Sequence, residues 1–176
     1  MFGRIIAVGP TPARLLSASS DKLLAIARDG GMRPETRAHR WHEIARITLE
    51  AADGDLGSAL RAADPKKRRA LLKRYPVIGE PGADKVLLFC GIEPAPTADS
   101  NVLRVLERLE LIPTGDYAKE YRAARDLQRD AYGDDMQALR RAYNVLREHG
   151  KTICRRSAPD RVHCPLGQRC SGVLTH

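Results

Sequence analysis

The chain has 176 residues, with 30 Lys and Arg against 22 Asp and Glu, a formal net charge of +8 and a pI near 9.6. An apolar fraction of 43% supplies a buried core for one domain or two small lobes and excludes a disordered chain. No apolar run approaches the ~18 residues of a membrane span, and the basic surplus points to an anionic partner, with nucleic acid first. The opening apolar run, Arg4 to Val8, is too short for a signal peptide, so a cytoplasmic protein is expected.

Helical punctuation recurs from Ser20 onward, while strand signals are almost absent, so the expected fold class is all-α. Ser20 to Arg28 begins at a capping residue and ends at Gly30-Gly31, and Pro10 and Pro12 interrupt what precedes it. A helix from Pro34 to Ala52 carries Trp41, Ile44, Ala45, Thr48 and Leu49 on its expected buried side. Its His39 and His42 have metal-ligand spacing but no expected acidic partner. A short helix spans Leu56 to Ala63, and Pro65 opens the next at the first helical position, where proline is favoured. After a turn at 75–82, Ala83, Val86, Leu87 and Cys90 form an apolar stripe, which makes Cys90 a buried small hydrophobe. Glu93 to Pro96 is an extended connector. A helix from Asp99 to Leu111 buries Val102, Leu103, Leu106 and Leu109. Two polar helices follow near 116–131 and 134–149, divided by Gly133 and closed by Gly150. Tyr117, Tyr121 and Tyr143 fall at helical positions and are expected to pack. No phosphate-binding P-loop or dinucleotide fingerprint is present.

Charge is concentrated before the turn. From Arg61 to Arg74 stand Arg61, Lys66, Lys67, Arg68, Arg69, Lys73 and Arg74 against Asp64, a surplus of seven minus one, or +6. Two helices joined by a tight glycine-containing turn offer backbone N–H groups and a helix N-terminus to a phosphate, and this geometry reads backbone rather than base sequence. Three of the four cysteines, Cys154, Cys164 and Cys170, cluster at the C-terminus, a pattern that in a cytosolic chain suggests a metal or cluster site over disulfides.

Tyr75-Pro76-Val77-Ile78-Gly79-Glu80-Pro81-Gly82-Ala83 resembles the helix-hairpin-helix of the endonuclease III superfamily of DNA glycosylases. Thr97-Ala98-Asp99-Ser100-Asn101-Val102-Leu103-Arg104-Val105 is similar to that family's catalytic-aspartate loop and following helix, and Glu148-His149-Gly150 with the cysteine tail is similar to its iron–sulfur loop. The resemblance runs from about Ser20 to Cys170. It implies two helical lobes, 1–93 with the hairpin at about 66–91, and 94–176 with Asp99 and the cysteine loop 154–170. The resemblance also implies further N-terminal helices, and no counterpart to them is expected before Ser20.

By this resemblance Asp99 is the catalytic carboxylate of a base-excision glycosylase acting on a flipped damaged or mispaired base. Its charge would stabilise the sugar cation that develops as the N-glycosidic bond breaks, and would orient water. The backbone from Val77 through Gly79 to Gly82 would hold DNA phosphate, helped by Lys73 and Arg74. Bifunctional relatives carry a Schiff-base lysine where this chain has Pro81, which puts the strand-cleaving lyase step in doubt. Lys85, one turn on, is the candidate substitute. Val77 replaces the first hairpin glycine and is expected to limit the turn's access to unusual backbone angles.

The family's four cluster cysteines map onto Cys154, Arg161, Cys164 and Cys170, so three of the four thiolates of a [4Fe-4S] cluster are in register. Three outcomes stay open: no cluster, a three-thiolate cluster completed by His163 or solvent, or a Cys3His zinc site. The expected partner is double-stranded DNA, and the expected assembly a monomer without membrane attachment. The alternative is a non-catalytic helix-hairpin-helix DNA-binding protein derived from the same family.

Overall fold

A computed structural model describes residues 11–30 and 32–170; the apolar run at 4–8, Pro10, Gly31 and residues 171–176 lie outside them. The described residues form nine α-helices and one 3-10 turn, without strands. These are α1 (Pro12–Ser17), α2 (Ser20–Arg28), α3 (Pro34–Ala52), α4 (Leu56–Ala62), α5 (Pro65–Leu72), α6 (Glu80–Phe89), α7 (Ser100–Arg108), α8 (Tyr117–Tyr132) and α9 (Met136–Thr152), with the 3-10 turn at Gly167–Arg169. Among them no helix is long and apolar enough to cross a membrane. The chain divides into two compact units, Met1–Glu80 and Pro81–His176, and α6 falls almost wholly in the second.

Local chemistry sets most helix starts. Thr11, Ser19, Asp55, Asp64, Asp99, Asp116 and Asp135 each accept a hydrogen bond from a backbone N–H of the first turn that follows. Pro12 therefore opens a helix where an interruption was expected, because its missing N–H costs nothing at the first helical position.

In the first unit α1 and α2 both pack on α3, around Leu23, Ala27 and Ala38, with Leu15, Leu24 and Trp41 partly buried beside them. Ile44, expected on the buried side of α3, is exposed, and Ile47 is buried in its place. Arg37 ties the α2–α3 connection by donating to the carbonyls of Ala27 (2.9 Å) and Met32 (2.7 Å). The segment after α5 is anchored from below. Leu72 and Tyr75 are buried, and the Tyr75 hydroxyl meets that of Thr48 on α3 at 3.1 Å.

In the second unit Val102, Leu103 and Leu106 of α7 pack with Ala98, Ile112, Tyr121, Ala124 and Tyr143. The buried face of α6 is Ala83, Asp84, Leu87 and Leu88. Cys90 is exposed and Val86 only half-buried, so the expected stripe is rotated: α6 ends at Phe89, and Cys90 lies beyond its last turn. Asp84 is fully buried and accepts from the Tyr121 hydroxyl at 2.8 Å, with Arg125 at 3.5 Å. Burial, then the Asp84 charge, pushes the Tyr121 phenol up, so it stays a donor.

Gly150 does not close α9, which runs through it to Thr152. A Cβ at 150 would lie 2.7 Å from the Asn101 carbonyl oxygen, so only glycine lets α9 approach the first turn of α7 this closely. Arg104 stitches the contact, donating to the Gly150 carbonyl (2.6 Å), the Asn101 side chain (2.8 Å) and the Cys154 carbonyl (2.9 Å).

Candidate functional site

The loop before α7 is an unusual place for buried backbone. Ala95, Pro96, Thr97 and Ala98 are all buried although they form no regular structure. Their polar groups are paired from both sides. The Thr97 hydroxyl donates to the Pro81 carbonyl at 3.1 Å, and the Gln128 amide donates to the Thr97 carbonyl at 3.2 Å. This loop delivers Asp99 to the N-terminus of α7 in a fixed position.

Each carboxylate oxygen of Asp99 has two donors. Oδ1 accepts from the backbone N–H groups of Asn101 (2.9 Å) and Val102 (3.1 Å). Oδ2 accepts from the Tyr143 hydroxyl (3.2 Å) and from Nε of Arg147 (3.1 Å). Burial works against the charge, but the N–H groups of Val102 and Asn101, the Lys85 ammonium and the Tyr143 hydroxyl outweigh it, and the carboxyl is held below its ordinary value. The side chain remains 23% exposed, so an ionised carboxylate faces solvent. Lys85 is half-buried, with Nζ 4.9 Å from the centre of the Tyr143 ring. Tyr117, expected to pack, is instead 54% exposed; it stacks on Tyr121, and its electrostatic neighbours include Lys85 and Asp99.

Tyr143 and Arg147 are the partners of Asp99 that the sequence motifs do not contain. The signal available for them was their i, i+4 spacing on one face of α9.

The turn from Arg74 to Gly79 takes an unexpected form. Val77 adopts the left-handed conformation, φ +63°, with its side chain 77% exposed. The expected restriction therefore does not hold: the valine takes the angle that glycine takes freely, at a strain of about 1–2 kcal/mol. Lys73, Arg74 and Gly79 are exposed, and Gly82 is half-buried in the first turn of α6. Of the preceding basic residues, Arg68 is committed inward, donating to the Leu60 carbonyl at 2.8 Å, and Lys67 pairs with Asp64 at 3.2 Å.

Cys154, Cys164 and Cys170 line one small cavity of ≈ 40 Å³, together with Arg108, Asp160 and Arg161. Arg108 is 6% exposed; it donates to the Cys154 sulfur at 3.2 Å, and its carbonyl accepts from the Cys170 thiol at 3.3 Å. Its Nε is buried without an acceptor. The three thiols thus share one cavity with a buried cationic donor. The position of the fourth thiolate is Arg161. Among the described residues no group of three His, Cys, Asp or Glu side chains is placed to hold a single metal ion. The His163 ring is 78% exposed and paired with Asp160 at 3.0 Å, so it does not complete the set; His149 is the imidazole beside Cys164, at 3.8 Å.

Asp99 separates two roles in mutagenesis. Asp99→Asn keeps an equally good capping acceptor, whereas Asp99→Ala loses it and should cost about 1 kcal/mol in urea denaturation at pH 7. The folded carboxyl lies below its unfolded value, so its ionic contribution is fully present above pH 3.8 and is lost as the pH falls below it. The wild-type and Asn curves should therefore converge in acid.

No protein-family model matches the chain. The thymine/uracil-DNA glycosylase of Pyrobaculum aerophilum is 27% identical over 162 residues, which is 89% of this chain and 64% of the relative. The fold matches a trapped endonuclease III–DNA covalent intermediate with TM-score 0.75 at 18% identity, over 97% of this chain and 73% of that one. A thermostable thymine-DNA glycosylase matches with TM-score 0.71 at 19% identity, over the same shares. The fold is thus that of endonuclease III and thymine-DNA glycosylase structures, and the sequence is distantly similar to that of a thymine/uracil-DNA glycosylase.

Proposed function

We propose that the chain excises a base from duplex DNA by hydrolysing its N-glycosidic bond. The observation that carries this reading is Asp99: an ionised, partly exposed carboxylate held at a helix N-terminus by four hydrogen bonds. Bond cleavage leaves positive charge on the sugar, and a fixed carboxylate nearby lowers that barrier without reorganising. The same group orients a water for attack on the cation. The base must leave the stack to be reached, and the exposed Tyr117 is an aromatic face available beside the site.

Pro81 supplies no nucleophile, so the reaction ends with an intact strand carrying an abasic site. Lys85 is the one candidate for a residual lyase step, and its ammonium over the Tyr143 ring must first lose a proton to act. End-labelled duplexes bearing single damaged or mispaired bases, uracil and thymine among them, test the reading on denaturing gels. Strand breaks are expected only after hot alkali and not with Asp99→Asn. Breaks without alkali, with a borohydride-trapped adduct lost in Lys85→Gln, would assign a lyase to Lys85. Binding without breaks in any lane would support the second reading, a DNA-binding protein without excision, which Pro81 favours.

Phosphate is gripped by the backbone around Val77 and Gly79 with Lys73 and Arg74. The exposed Val77 side chain stands where the backbone would approach a phosphate, so Val77→Gly should tighten duplex binding several-fold. The salt dependence should stay unchanged, because no cation is altered; anisotropy titrations across a salt series measure both.

Cys154, Cys164 and Cys170 would hold an iron–sulfur cluster at three corners, and its role would be to brace the loop. Iron and sulfide analysis of anaerobically purified protein, with visible absorbance, should show the cluster and its loss in Cys164→Ser; metal-free wild type would reject it.

A further inference from the structure

The charged partner of Asp99 lies on another helix. Tyr143 and Arg147 are one turn apart on α9, and both reach Oδ2. Tyr143 is itself fixed: it is 4% exposed, meets the Phe89 ring edge-on at 5.4 Å between centroids, and carries the Lys85 ammonium on its face. Arg147 provides the charge-assisted bond, which is the stronger and more directional of the two. Its side chain is 42% exposed and engages Asp99 through Nε. The close approach of Gly150 to Asn101 sets where α9 sits against α7, and so places Arg147 opposite the carboxylate that the Asn101 N–H also holds.

We infer that Arg147 is a positioning residue for Asp99, fixing the orientation of the carboxylate oxygen that its own helix leaves free. This rests on the glycosylase reading above. Two N–H groups pin Oδ1 and leave Oδ2 to be set by α9. Without Arg147 only the Tyr143 hydroxyl would hold it, and the carboxylate plane would rock about the Oδ1 contacts. The groups that face Asp99 are Arg104 on α7, Lys85 on α6, Tyr117 on α8, and Tyr143 and Arg147 on α9. Of these, Arg147 is the one that forms an ion pair with the carboxylate.

The test uses the full chain with Arg147→Gln and Arg147→Lys. The Asp99 carboxyl is followed by carbon-13 NMR titration, its resonance identified by its absence in Asp99→Asn. Single-turnover excision is measured against pH with the duplex found active for the wild type. Arg147→Gln should move the Asp99 titration upward and slow the single-turnover rate about tenfold, the worth of one charge-assisted hydrogen bond. Duplex affinity should change little, and the acid limb of the rate profile should move with the titration. Arg147→Lys should recover part of both. An Arg147→Gln titration superimposable on the wild type would overturn the inference, as would a moved titration with an unchanged rate profile. A wild-type chain that excises no base would instead overturn the glycosylase reading, and the titration would still decide whether Arg147 holds Asp99.

Discussion

A helix N-terminus leaves backbone N–H groups without partners, and in this protein the first turn of α7 resolves that deficit with the side chain of Asp99. The rest of the second unit is arranged around that capped end. The buried loop 95–98 leads into it, tied by Thr97 to the Pro81 carbonyl and by Gln128 to the Thr97 carbonyl. Helix α9 lies against it because residue 150 has no side chain, and Arg104 locks that contact with bonds to Gly150, Asn101 and Cys154. One structural need, satisfying a helix end, thus yields an ionised carboxylate that is both rigid and open to solvent. A capping residue has the requirements that a catalytic carboxylate would have: a fixed oxygen, a nearby positive potential and partial desolvation.

Two further features lie where the chain departs from the pattern that its sequence resembles. Val77 holds a left-handed backbone angle suited to glycine. The buried neighbours Leu72 and Tyr75 over-determine the segment that leads into it, so the strain is borne rather than relieved. The cysteine loop likewise keeps three thiols around one cavity although Arg161 stands at the fourth position. Arg108, buried under the loop, holds two of the sulfurs and both neighbouring carbonyls, at Arg155 and Arg156. The loop therefore has anchoring of its own, from a helix that also carries the Asp99 cap.

Helix order, most helix starts and Asp99 itself were legible in the sequence because each depends on a few adjacent residues. Pro65 and Asp99 announce helix starts through their own chemistry, and α3 begins and ends at the residues its punctuation implied. Reading by periodicity was less secure. It placed Cys90 and Ile44 inside, and both are exposed, since the buried face of a helix depends on which neighbour covers it. Gly150 read as a helix stop, yet it is a contact glycine inside α9.

What the sequence alone determined is thus local: an all-helical chain, a basic segment before a tight turn, an aspartate at a helix N-terminus and three clustered thiols. Only the tertiary structure decided that Tyr143 and Arg147 hold the second oxygen of Asp99, that His149 rather than His163 stands beside Cys164, and that Asp84 and Tyr121 form a buried pair. These partners are 15 to 48 residues apart along the chain. Capping and helix periodicity act over three or four residues, whereas a contact across such a separation exists only once packed helices bring the two side chains together.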